Sequence, residues 1–162
     1  MTATFPTAHS GTRAHTSFDA RDAIAARLLD DDLLASVDLT LPERTWVRLD
    51  ARTESGAELW LITWPVGSST GWHDHGSASG AFTVLRGTLT EYTFAGVATA
   101  RTLATGQLRQ FEGNHIHDVV NHGSGTAVSL HAYAPSLAAM TRYELVRGRL
   151  QVTGVEQRGE LW

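Results

Sequence analysis

The sequence predicts an all-β barrel with a short N-terminal helical segment, and three observations carry that prediction. Short runs rich in Val, Thr, Leu, Trp and Tyr recur after Pro42. Glycines punctuate them at turn-like intervals. The chain has 162 residues, enough for one barrel-sized domain with a substantial core. Many short strands at this spacing read as a sandwich or barrel.

Residues 1–16 are mostly Thr, Ala, His, Ser and Gly, and are expected to form a mobile tail ahead of a single domain over 17–162. A helical segment is expected over 18–35: Phe18, Ile24, Leu28 and Leu29 are apolar, and Asp19 and Asp22 suit a first turn. Asp30 to Asp32 interrupt it, so one or two helices fit. Strands are expected at 45–51, 57–65, 81–86, 88–94, 97–103, 107–111, 116–120, 126–133, 141–146 and 149–155. Leu85-Arg86-Gly87-Thr88 reads as a tight hairpin, and Arg147-Gly148 as the turn of a closing one.

Composition removes several function classes. The chain has no Cys, which excludes disulfides, thiolate metal sites and cysteine nucleophiles. All 13 basic residues are Arg, so Schiff-base and P-loop lysine chemistry are absent. A net charge of −4 argues against nucleic acid as the main partner. No apolar stretch reaches bilayer-spanning length, and Met1 to Thr16 lacks an apolar core of signal-peptide length. A soluble cytoplasmic protein without membrane partners, monomeric or weakly self-associating, is the expectation.

The chemistry lies in the histidines, six of whose eight fall between positions 73 and 131. In His73-Asp74-His75 the two imidazoles share a face of an extended chain and can reach one metal ion. Spacing leaves His117 and His131 as candidates for a third ligand, with His115 and His122 behind them. In the run 127–133, Ser129, His131 and Tyr133 share one face and Val128, Leu130 and Ala132 the other. Trp46 and Arg48 likewise share a face, opposite Val47 and Leu49.

A glycine frame surrounds these residues. Gly67 is followed by five residues and then His73-Asp74-His75, with Gly80 and Gly87 beyond. Gly106 is followed by five residues, Glu112, Asn114, His117 and Asn121. These spacings resemble the two motifs of the cupin superfamily, whose jelly-roll barrel is then the expected fold. Gly80 stands where the first motif has a Glu ligand, and Glu112 and Asn114 replace a Pro and a Gly. The stretches Gly67–His75, Ile116–Asn121 and Ala127–Tyr133 are similar to the metal-site segments of cysteine dioxygenase type I. The resemblance covers roughly residues 44–135, and the short chain and Gly80 resemble the bacterial branch.

That resemblance implies one Fe(II) per chain on His73, His75 and His117, with Tyr133, His131 and Ser129 as catalytic and outer-shell residues. It implies Arg48 as the arginine that binds a substrate carboxylate, with Arg52 in reserve, and Trp46 where animal members have a Tyr. Gly80 takes the place of the Cys that those members crosslink to the active-site Tyr, so Tyr133 depends on packing and hydrogen bonds. The implied reaction joins L-cysteine and O2 into cysteine sulfinate. The alternatives are oxidation of another small thiol, such as 3-mercaptopropionate, or a metal-binding cupin acting as an isomerase or sensor. His115 is expected to be a spectator near the site entrance.

Overall fold

The glycine-punctuated runs become eleven strands in the computed structural model, which describes residues 20–29, 32–49 and 57–159. They are β1 (Thr45–Leu49), β2 (Glu58–Trp64), β3 (His73–Asp74), β4 (Ser79–Arg86), β5 (Thr88–Phe94), β6 (Ala98–Ala104), β7 (Leu108–Phe111), β8 (His117–Val120), β9 (Ala127–Ala134), β10 (Ala139–Val146) and β11 (Arg149–Gln157). The expected tail and Arg52 lie outside the described residues. Within the expected helical segment 18–35, the described residues form helix α1 (Ala20–Arg27) and a single 3-10 turn at Leu34–Ser36. Among the described residues no helix is long and apolar enough to cross a membrane.

The strands form two antiparallel sheets, ordered β1-β2-β9-β4-β7 and β11-β10-β3-β8-β5-β6. This is the jelly-roll barrel expected of the sequence. The Arg147-Gly148 hairpin forms, with both residues at positive φ (51° and 75°), and joins β10 to β11. The hairpin expected at Leu85-Arg86-Gly87-Thr88 does not form. β4 pairs with β7 and β9 while β5 pairs with β6 and β8, so the chain crosses between sheets at Gly87. Gly87 has φ +76° and the strands separate around it. Its turn chemistry is local, whereas the choice of partner strand is tertiary.

Two apolar clusters explain why β2 and β9 are buried on both faces. Trp60, Ile62 and Trp64 point into the barrel with Phe82, Val84, Leu89, Leu103 and Val119. Leu59 and Leu61 point outward with Val128, Leu130 and Ala132, and Ala20, Ala23 and Ile24 of α1 cover them. The helix therefore seals the outer face of one sheet. The opposite face of β9, carrying Ser129, His131 and Tyr133, is turned into the barrel, and all three are buried.

Candidate metal centre

Register brings the histidines together. His73 of β3 stands directly across from His117 of β8. His75 follows the end of β3 with its ring on the same side as His73, the alternation of an extended chain. Asp74, between them, faces the other way: its Oδ1 accepts from Gly76 N at 2.8 Å and its Oδ2 from the Tyr143 hydroxyl. His73, His75 and His117 are all buried, and each offers a ring nitrogen lying within 4.8 Å of the others.

Hydrogen bonds fix which nitrogens face the cluster. Gly71 O can only accept, so His73 donates to it from Nδ1 at 2.9 Å and keeps a lone pair on Nε2. That Nε2 is 3.1 Å from His75 Nε2. His117 donates from Nδ1 to Glu91 Oε1 at 3.0 Å, which leaves its Nε2 for the cluster. Burial pushes all three imidazoles below their ordinary pKa, well below for His73 and His75, so they are neutral near pH 7. Three buried, neutral imidazoles whose ring nitrogens converge on one point fit a metal ion, and imidazole suits Fe, Zn, Cu and Ni.

Behind β9 runs a chain of donors. Trp64 Nε1 donates to Ser129 Oγ at 2.8 Å, and Ser129 Oγ is 2.8 Å from His131 Nε2. Tyr133 Oη is 3.3 Å from His131 Nδ1. Indole N–H only donates. One arrangement satisfies the whole chain: Ser129 donates its O–H to His131 Nε2, and His131 donates from Nδ1 to Tyr133. The phenol proton is left for the cavity. Burial pushes His131 down to about 3 and holds the Tyr133 phenol above its ordinary value, so both are neutral.

The histidines and Tyr133 line a cavity of about 80 Å3 with Arg44, Trp46, Trp60 and Arg142. That is room for about half a dozen water-sized groups, which favours a small ligand. Arg142 is cross-strand from His73 and is anchored by Thr70 O at 3.0 Å and Glu156 Oε2 at 2.7 Å. The Arg44 guanidinium lies 5.2 Å from the Trp46 ring and 5.3 Å from the Trp64 ring. Among the described residues no carboxylate pairs with Arg44.

Arg48 does not line the cavity. It shares the inward face but turns along it to Glu58 Oε1 at 3.5 Å, a carboxylate that Arg158 also reaches at 2.5 Å. Its side chain stays 53% exposed. Arg44, just ahead of β1, takes the cavity position instead. Trp46 does line the cavity.

Sequence reasoning also missed Glu91. It is completely buried on β5 and accepts from His117 Nδ1, His115 Nε2 at 3.0 Å and Arg109 Nε at 2.6 Å. Burial alone would raise its carboxyl, but these donors hold it well below the usual carboxylate range. His115, expected to be a spectator, thus touches the group that backs a cluster histidine. The run Thr88–Phe94 mixes polar and apolar residues on both faces, so alternation does not reveal that Glu91 points inward. Phe111 was missed as well. Its ring lies against those of His75, His115 and His117 at 5.1–5.3 Å.

Solved structures similar to this chain share its fold. An oxalate oxidase in complex with glycolate superposes with TM-score 0.54 at 16% identity, over 65% of this chain and 58% of its own. This chain thus spans less than two thirds of that protein. The cupin domain of Schizosaccharomyces pombe Cnp3 gives 0.53 at 16%, over 62% and 66% of the two chains. A putative mannose-6-phosphate isomerase from Ralstonia eutropha JMP134 gives 0.53 at 18%, over 64% and 95%. No curated protein matches the chain. The sequence profile of cysteine dioxygenase type I matches residues 30–145, a span that holds every cluster histidine together with Arg44, Ser129, His131 and Tyr133. The chain belongs to the cysteine dioxygenase type I family.

Proposed function

We propose that this chain is a mononuclear non-haem iron dioxygenase that holds one Fe(II) on His73, His75 and His117 and oxidises L-cysteine to cysteine sulfinate. One observation carries the reading: a small cavity has on its wall three neutral imidazoles and Arg44, with which no carboxylate among the described residues pairs. When bound, Fe(II) supplies the oxygen chemistry, which adds both atoms of O2 to the substrate sulfur. Three neutral ligands leave the ion's double charge uncompensated, which favours a thiolate over a thiol beside them.

The chain's own groups position the rest. Burial and the nearby charge of Arg142 pull Arg44 below its ordinary pKa, the mark of a cation short of compensation where it stands. A substrate carboxylate supplies that compensation as a bidentate partner. The Trp46 and Trp64 rings hold the guanidinium from the other side. Tyr133 presents its phenol proton to the bound substrate, and Ser129 and His131 act through it as positioning residues. Ile62, Val119, Leu137 and Met140 contribute apolar wall and limit water.

A second reading, an amine-free thiol acid such as 3-mercaptopropionate, is favoured by one feature. Among the described residues no acidic side chain lines the cavity, so a substrate ammonium finds no ion-pair partner among them. Oxygen uptake by Fe(II)-loaded protein, with 18O2 and product mass, tests both. Uptake with L-cysteine and a doubly labelled sulfinate is expected. Uptake with 3-mercaptopropionate alone would move the substrate and keep the reaction. No uptake with either thiol would sink the dioxygenase reading.

A further inference from the structure

The three cluster histidines are not equivalent at their outer nitrogens. His73 donates to a neutral carbonyl, Gly71 O. His75 Nδ1 is buried without a partner among the described residues. Only His117 donates to a carboxylate, Glu91, at 3.0 Å. An imidazole that gives its outer N–H to a carboxylate is held in one tautomer and one ring orientation, and becomes a stronger donor at its other nitrogen. Glu91 is completely buried, and a buried carboxylate is costly unless its charge and lone pairs are matched. Here they are matched: Arg109 supplies the positive charge at Oε2, and His115 and His117 share Oε1.

We propose that Glu91 is a positioning residue for the metal centre: it locks His117 in the Nδ1–H tautomer and makes it the strongest ligand of the three. Arg109 and His115 in turn keep Glu91 in place and balanced. The stacking of His115 on Phe111, at 5.1 Å and 18°, holds that second donor against the same oxygen. The inference rests on the reading of His73, His75 and His117 as metal ligands. It adds that the metal senses a carboxylate it does not touch.

Co(II) titration separates these roles, because its visible bands report ligand strength as well as affinity. Glu91→Gln keeps the side-chain shape and removes the charge. Arg109 is partly exposed, so its guanidinium can turn to water in that variant. Arg109→Gln is the control: it disturbs the same network and leaves the bond to His117 in place. Glu91→Gln is expected to weaken Co(II) binding about 10–100-fold and to shift the visible bands, while Arg109→Gln, which unbalances Glu91 but keeps its bond to His117, loses less affinity and keeps the bands in place. A loss in Glu91→Gln no greater than that in Arg109→Gln, or bands that do not shift, overturns the proposal. Wild-type protein that binds no Co(II) at this site overturns the metal-site reading itself. Should Glu91→Gln fail to fold, the metal-free wild type still decides through long-range 1H–15N correlations of His117. A proton on Nδ1 is expected, and a proton on Nε2 overturns the proposal.

Discussion

Arg44 and Arg48 are four residues apart on one side of the same chain segment, yet they stand in different surroundings. What separates them is the anion each finds. Arg48 meets Glu58, a buried carboxylate already shared with Arg158 and with the Leu137 amide at 3.2 Å. Arg44 meets two indole rings and a cavity. Replacing Arg44 by Ala is expected to lower kcat/KM for a thiol acid by about 100-fold, since a charged hydrogen-bonded pair contributes about 1.5–3 kcal/mol. The effect should fall mainly on KM, with metal content unchanged. Arg48→Ala should leave kcat/KM within a few-fold and cost under about 1 kcal/mol, because that pair is half exposed. Steady-state kinetics of the two variants checks both statements, and the reverse order would return the carboxylate role to Arg48. This is also where the sequence ran out. Alternation places positions 46 and 48 on one face, but the pairing of Arg48 with Glu58 depends on a neighbouring strand. Ser129, His131 and Tyr133 were legible for the converse reason: their common face follows from strand periodicity alone, and an inward aim needs only a polar interior. Glu91 carried no such signal, because its strand shows no clean alternation.

At the level of elements, β4, β7 and β9 meet in one cross-strand row made of Phe111, Gly80 and Tyr133. The glycine is what lets the row close. A Cβ built on Gly80 would lie 2.4 Å from Phe111 Cζ, 2.6 Å from Cε2 and 3.1 Å from Ala132 O. The Phe111 ring fills the space a side chain at position 80 would take, and it passes that packing to His75 at 5.3 Å. Gly80→Ala is therefore expected to destabilise the protein by about 1–3 kcal/mol, or roughly 2–12 °C in melting temperature. Combining it with Phe111→Leu should cost less than the two separate losses added together, as two changes sharing one space do. Calorimetry on the four proteins measures the coupling, and strict additivity would mean that the ring yields freely. The sequence showed that Gly80 carries neither a carboxylate nor a thiol; it could not show what fills the gap. Strand existence was legible almost throughout, because runs such as 57–65 and 126–133 are long and rich in β-formers. β3 was legible only as an extended His-x-His, since two residues are too few to display a period. The crossing at Gly87 was misread as a hairpin because turn chemistry does not name the next partner.

Across the whole molecule, the barrel interior is filled partly by imidazoles instead of hydrocarbon, and this couples the fold to protons. His73, His75, His117 and His131 are all buried, and burial lowers each pKa, that of His131 to about 3. In the unfolded chain each would titrate near its model value of 6.5. Above about pH 7 both states are neutral and these groups add no pH dependence. Below about 6.5 the unfolded chain takes up protons that the folded chain refuses, so acid favours unfolding. For His131 the loss grows from about pH 6.5 and levels off near pH 3. Each refused proton costs about 1.4 kcal/mol per pH unit, and the four losses run in the same direction. Metal-free protein is therefore expected to melt at a constant temperature from pH 7 to 9 and at steeply falling temperatures below pH 6. His131→Phe should make that fall shallower by one proton's worth. Bound metal should flatten the curve at first, since an ion on the three imidazoles competes with protons for the same lone pairs. Acid would then release the metal and unfold the chain over one narrow range. A metal-free protein equally stable at pH 7 and pH 5 would mean that the interior imidazoles accept protons within the fold, and the neutral, lone-pair donor set argued for the metal would fall with it.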